Sequence, residues 1–258
     1  MKRPTSSTAY RFRRKWRFNS DLIAISCRAI DPDRPEIAPS DGESATGSRP
    51  LLSLGRARGQ HRGMMKSIGF LPRLAGIARP DFRNYYETRH APLADSYFHF
   101  AGYVRNHIVD GQEPGFDCIS EFWTADPAAI ATLLAGEAGE RMRADERNFA
   151  DPPNIRPALA EPAPTSRLVP LGLRTVHLLG GHDNAGLIAA VAASAGAEAV
   201  TLDFLTPFDA ASRAPCDALL IREGTETAIP SLPSGWTLLA SLQVVAEGAL
   251  PISPQPAV

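Results

Sequence analysis

His90 is the residue of this chain with the clearest capacity for chemistry. It lies on the apolar face of a segment in which Phe82, Tyr85, Tyr86, His90 and Leu93 recur at helical spacing. A neutral imidazole among apolar neighbours can accept and return a proton near neutral pH. Tyr86, one turn earlier, could donate a hydrogen bond to a developing oxyanion. The plainer reading is a partly buried histidine bonded to a backbone carbonyl, and composition alone leaves both open. His107 and His99 lie on or beside a following strand, where both read as ordinary surface residues. Asp117 and Glu121 share one face of the next strand at period two. They orient a histidine if that face lines a pocket, and form ion pairs if it meets another sheet. Cys118 and Phe122 take the other face. Without a nearby basic residue in sequence, Cys118 reads as a small core residue.

These side chains need elements to position them, and the pattern supplies a repeated set. A strand is expected over 66–74, where Ile68 and Phe70 alternate, and a helix from Pro80, a residue suited to the first helical turn. Pro92 opposes helical geometry at Ala91 and clashes with the carbonyl of Thr88, so the helix should end or kink near His90. Strands over 102–109 and 116–123 flank a turn-rich loop. Asp126 then caps a second helix with Pro127 at its first position and a break at Gly136 or Gly139, and a last strand fits 156–161. The order β-α-β-β-α-β is the split βαβ, or ferredoxin-like, pattern.

The chain then repeats the pattern: strands over 174–179, 199–205, 216–222 and 242–247, with a helix capped by Asp183 or Asn184 and stopped at Gly196. Cys216-Asp217-Ala218-Leu219 echoes Phe116-Asp117-Cys118-Ile119, and the stretch from Val245 to Leu250 echoes that from Leu159 to Pro164. The second helix of this half is broken by Ile229-Pro230-Ser231-Leu232-Pro233, and its first helix carries Ala192, Ala193 and Ser194 where the aromatic–histidine set would sit. The expected fold class is α+β: two tandem ferredoxin-like units packed sheet to sheet as an intrachain α/β barrel. The expected division is an N-terminal extension over 1–63, a first domain over 64–165 and a degenerate second domain over 166–258. A four-stranded sheet covered on one face must bury the other, and two halves of one chain can do this for each other.

Composition narrows the functional classes. The 258 residues are 44% hydrophobic with a net charge of −1, enough apolar content for a core. Residues 1–62 hold thirteen Lys+Arg and six Asp+Glu, a balance of +7, and the remainder fourteen and twenty-two, a balance of −8. The acidic remainder argues against nucleic acid as a partner. The extension is Arg-rich, with Pro, Ser, Asp and Gly following, and cannot bury enough to order itself. It reads as a transit peptide, a basic arm, or sequence upstream of a true start at Met64 or Met65. No apolar run reaches the ~18 residues of a bilayer span, so no membrane is expected. Cys27, Cys118 and Cys216 show neither disulfide nor metal spacing, which suits the cytoplasm. The glycine-rich stretch from Leu179 to Gly186 lacks the dinucleotide spacing, and no G-x-S-x-G, Walker or H-E-x-x-H motif is present.

The stretch from Phe82 to Ala94, with its aromatic pair Tyr85-Tyr86 and its His90-Ala91-Pro92-Leu93-Ala94, resembles the signature of the EthD family (ethyl tert-butyl ether degradation proteins). Tyr103 to His107, Phe116 to Trp123 and Asp145-Glu146-Arg147-Asn148-Phe149 are similar in kind. The resemblance covers roughly 65–151. It implies a dimeric α/β barrel related to polyketide cyclases, cofactor-free monooxygenases and muconolactone isomerase, with a ligand pocket between sheet and helices. His90 and Tyr86 are then the catalytic candidates, and Phe82, Leu93, His107 and Trp123 the substrate contacts. The function expected is cofactor-free acid–base catalysis of a cyclase, dehydratase, isomerase or monooxygenase type on a small hydrophobic or aromatic molecule. Non-catalytic binding of such a molecule in a catabolic pathway is the alternative. No metal or cofactor is expected, and the chain should be a monomeric pseudo-dimer or a weak homodimer.

Overall fold

The computed structural model describes residues 64–208, 212–225 and 229–251; the expected disordered segment over 1–63, and Cys27 within it, lie outside the described residues. Period-two alternation becomes antiparallel strands: β1 Met65–Leu71, β2 Gly102–Ile108, β3 Cys118–Thr124, β4 Arg156–Pro162, β5 Gly172–Gly181, β6 Val200–Pro207, β7 Ala218–Glu223 and β8 Trp236–Ala249. They close into a barrel in the order β1-β3-β2-β8-β5-β7-β6-β4. Each half contributes its four strands in ferredoxin-like order, β4-β1-β3-β2 and β8-β5-β7-β6. The seams are β2 against β8 and β4 against β6. The halves thus join through both sheet edges, and their inner faces share one core that includes Ile68, Phe70, Ile119, Val176, Leu219 and Val244. Closure leaves the barrel without unpaired edges.

The helices cover the outer faces. Helix α1, Arg79–Tyr85, opens with Pro80 and passes through a π-helical turn, Tyr86–His90, into α2, Ala91–Tyr97. The helix does not end near His90; the irregularity that the proline suggests takes the form of the π-helical turn. The Ala91 N–H instead reaches back five residues to the Tyr86 carbonyl, and the widened turn accommodates Pro92. Asp126 caps α3, Pro127–Ala135, by accepting the Ala129 N–H at 3.0 Å. Helix α4, Glu137–Glu146, follows the break at Gly136. Gly139 is required there, because a Cβ would fall 1.9 Å from the Leu134 carbonyl oxygen. In the second half, α5, Asn184–Ala195, is capped by Asp183, and no described residue between β7 and β8 is helical. No helix among the described residues is long and apolar enough to cross a membrane.

An internal pseudo-two-fold relates the halves. The Asp117 N–H bonds the Leu71 carbonyl at 2.8 Å, and the Asp217 N–H bonds the Leu179 carbonyl at 2.9 Å. Each aspartate side chain accepts the N–H two residues beyond that carbonyl, from Arg73 at 2.8 Å and from Gly181 at 3.0 Å. The Phe116–Ile119 echo in Cys216–Leu219 is therefore in true register. The other echo is two residues out: Ala158 pairs with Ile68 as Leu242 pairs with Val176, which places Val245 opposite Glu161 rather than Leu159. The strand is also longer than its alternation, because its first residues continue along β5 across a bulge at Leu178/Leu179.

Inside the barrel, the same symmetry places charges. Lys66 and Arg174 occupy equivalent positions, as do Asn106 and Asp203. Lys66 Nζ reaches Asp203 and Glu121 at 2.6 Å each, while Arg174 meets Asn106 at 3.0 Å and Glu121 at 3.3 Å. Two cations face two carboxylates with almost no solvent contact, so each ion's desolvation is offset by a partner from the opposite half. Of the two roles open to Glu121, the structure gives it ion pairing. Asp117, at the barrel end, pairs with Arg73 and Arg79.

Candidate active site

The first half holds a cavity of about 240 Å³ between the outer face of its sheet and helices α1 to α4. Strand parity forms the floor. Ser67, Gly69 and Leu71 point outward from β1 because Lys66, Ile68 and Phe70 point into the barrel, and Phe122 and Thr124 do the same on β3. The π-helical turn forms one wall: it sets Tyr86, His90 and Ala94 on a single line facing the cavity. Helices α3 and α4 close it with Ile130, Leu134, Met142 and Glu146.

His90 is buried, and its Nδ1 lies 2.8 Å from Asp145 Oδ2. The other Asp145 oxygen accepts the Tyr85 hydroxyl at 2.9 Å. A carboxylate acceptor puts the proton of the neutral ring on Nδ1 and leaves Nε2 as the free base. Burial pushes the His90 pKa down, and this outweighs the opposing pull of Asp145, so the ring is neutral at physiological pH. The imidazole stands edge-on to Tyr86, with centroids 5.0 Å apart, and tilted against Phe149 at 4.9 Å.

Tyr86 lines the cavity, but its hydroxyl is engaged. Tyr103 donates to it at 2.9 Å, and it shares a second hydrogen bond with Ser120 Oγ at 2.8 Å. Burial of this pair pushes both phenols well above their ordinary range. Glu146 shows the opposite situation: its carboxyl lines the cavity with no hydrogen-bond partner among the described residues, and burial raises its pKa to about 7.

The other candidate contacts lie elsewhere. Phe82 packs behind Tyr86, fully buried against Phe149 and His107, and Leu93 packs at the margin of the helix-covered core. Trp123 faces the barrel interior beneath Lys66 Nζ, 4.6 Å from its ring centroid, because its parity on β3 is that of Ile119 and Glu121. His107 is buried rather than on the surface, and opens to a second cleft on the far side of α1. That cleft, of about 460 Å³, is lined by Arg79, Arg83, Glu87 and, from the second half, Glu247. His107 Nε2 meets Glu87 at 2.6 Å; burial opposes its charge, but Cys118 and Glu87 lift its pKa to about 9. Glu87, despite burial, is held down to about 2 by His107 and Arg105. Glu87, His107 and Glu247 bring their ligating atoms within 4.8 Å of one another, the spacing of a metal site. Each carboxylate is already matched by a guanidinium, Arg105 on Glu87 and Arg83 on Glu247, where a cation would sit.

Asp145, Ser120, Tyr103 and Glu146 are the site residues that helical and strand spacing do not mark. Tyr103 and Ser120 share the outward parity of their strands. Only the fold shows that this parity meets the helix carrying His90. Among the described residues the second half has no counterpart of the site. By the pseudo-two-fold, His177 takes the place of Gly69, Leu220 of Ser120 and Val200 of Tyr103, so a side chain fills the floor and the polar group is gone.

Solved structures match this chain at low similarity. A protein from Lactobacillus acidophilus NCFM, provisionally named a monooxygenase, is 13% identical over 73% of this chain and 96% of its own, with a TM-score of 0.42. A provisionally named monooxygenase from Fusobacterium nucleatum is 12% identical over 74% and 98%, with a TM-score of 0.42. A mutant chlorite dismutase from Candidatus Nitrospira defluvii is 8% identical over 72% and 91%, with a TM-score of 0.43. No curated protein matches the sequence. The family model of the EthD domain matches residues 74–153. His90, Asp145, Tyr86, Tyr103, Ser120 and Glu146 all fall within that span, so the stretch that matches the EthD domain model contains the polar residues of the cavity other than those of β1.

Proposed function

We propose that the cavity binds a small, largely apolar molecule, aromatic or alicyclic, and that His90 exchanges a proton with it, as in an isomerase, cyclase or dehydratase. The observation that carries this reading is the His90 Nδ1–Asp145 contact of 2.8 Å at the wall of a largely apolar cavity. A neutral ring with a fixed tautomer is a base whose second nitrogen faces the ligand. The volume suits a small ligand, since drug-sized molecules occupy pockets of roughly 300 Å³ or more. Both edges of each sheet are consumed within the chain, which supports a barrel that needs no second copy.

The test uses 2-tetralone, an apolar ketone with acidic α-hydrogens, and follows deuterium uptake by NMR. Wild-type protein should accelerate exchange, and His90→Ala should remove the acceleration while retaining binding. Equal exchange with and without His90 rules the reading out. Binding without turnover is the second reading. It is favoured by the engagement of the Tyr86 hydroxyl with Tyr103 and Ser120, which ties the phenol to protein groups rather than to a ligand.

A further inference from the structure

We infer that Glu146 is the second proton-transfer group of the cavity, the acid that works opposite His90, and that the substrate class is an enolisable carbonyl compound. This rests on the reading of His90 as the base. Three features of the site lead to it. Asp145 and Glu146 are consecutive at the end of α4, and successive helical positions point about 100° apart. Asp145 turns to the back of His90, and Glu146 turns into the same cavity that His90 faces. One helix end therefore supplies both the group that orients the base and a free carboxyl. The Glu146 side chain is partly buried and no hydrogen bond from a described residue engages its carboxyl, so the group is open to a ligand entering the cavity.

The surroundings raise that carboxyl's pKa well above the ordinary carboxylate range. Arg143, Asp145 and Arg147 are the charged groups near it on its own segment, and only Asp145 adds to the effect of burial. From the first helix it faces neutral His90 and Tyr86; from β2, Tyr103. The β1 and β3 walls bring only Ser67, Thr124 and apolar groups. Burial lifts Glu146 to about 7 while it lowers His90, so acid and base coexist in their working forms near neutrality.

The step balances within the site. His90 Nε2 takes a proton from the carbon beside the carbonyl, and the C–H electron pair becomes the C=C bond of the enol. The C=O π pair takes the Glu146 proton at oxygen. An imidazolium and a carboxylate remain, so the net charge is unchanged. With a β,γ-unsaturated ketone the enol is a dienol: His90 returns its proton to the γ-carbon, the diene electrons shift to re-form C=O, and the enol O–H proton goes back to the Glu146 carboxylate, which completes an isomerisation with both groups restored.

The same 2-tetralone exchange tests the inference, with Glu146→Gln and Glu146→Ala beside His90→Ala, all checked for folding by thermal melts. In the wild type, exchange should rise as His90 loses its proton and fall above about pH 7 as Glu146 ionises. Glu146→Ala should lower the rate by ~100-fold or more. Glu146→Gln, which keeps a donor but cannot ionise, should lose the alkaline fall. Loss with His90→Ala but not with either Glu146 variant overturns the inference and leaves the base in place. A reduced rate with an unchanged pH profile in Glu146→Gln also overturns it, because a packing role would give that result. No exchange by wild type above the buffer blank overturns both readings.

Discussion

Asp145 Oδ2 lies 2.8 Å from His90 Nδ1, and this contact ties the π-helical turn to the end of α4, 55 residues later in the chain. It fixes which imidazole nitrogen is free, and it places the cavity wall and the base in one rigid unit.

Asp145→Asn keeps the size of the side chain and removes its charge. An amide can present its nitrogen to Nδ1 and stabilise the wrong tautomer. Nitrogen-15 NMR of the wild type should show His90 protonated at Nδ1, and the variant should show a mixture or the reverse. Tetralone exchange should fall by about 10–100-fold, within the range of a supporting partner.

Gly69 floors the cavity without positive φ, and a Cβ there would meet only the flexible Leu71 Cδ1, at 3.2 Å. Gly69→Leu should therefore fill the cavity much as His177 fills the equivalent place in the second half. Tetralone affinity should drop by ~10-fold or more, with a melting temperature close to wild type, since the added methylenes are apolar in an apolar space. Unchanged affinity would place the ligand elsewhere.

Glu146 carries a pH signature that needs no ligand. Its pKa is about 7 folded against the ordinary 4.5, so the folded chain holds the proton more tightly. The resulting stability is fully present below about pH 4.5 and is lost as pH rises through about 7. Glu146→Gln should then melt higher than wild type at pH 8 and nearly together with it at pH 5. Parallel melting curves at both pH values would mean that the carboxyl is not held protonated.

Lys66 is the cation common to Glu121 and Asp203 inside the barrel. Lys66→Met leaves two buried carboxylates with Arg174 alone, and such breakage costs about 3–5 kcal/mol. Urea unfolding should show a loss of that order. Combining it with Asp203→Leu should recover part of the loss, because an apolar pair carries no unpaired charge.

Much of this fold was legible because its signals are local. Pro80, Asp126 and Asp183 mark helix starts by chemistry that acts within three residues, and period-two alternation marks the strands that line the core. The repeat was visible in the like sequence around Asp117 and Asp217, although the contacts that make the two equivalent, to Arg73 and Gly181, span 44 and 36 residues. His90 and Tyr86 stood out because helical spacing puts them on one apolar face, and both line the cavity. The π-helical turn was hidden, since Pro92 announces a disruption but not whether the helix ends, bends or widens. Trp123 and His107 were misplaced as contacts because alternation says that two faces exist and not which of them meets helix, barrel interior or second cleft. Sequence alone thus determined the elements, their order and the residues able to exchange a proton, since propensity, capping and periodicity act over a few positions. Only the tertiary structure decided that Asp145 backs His90, that Glu146 shares its cavity and that Lys66 meets Asp203, because barrel closure and helix packing join positions 55 to 137 residues apart whose pairing no local pattern records.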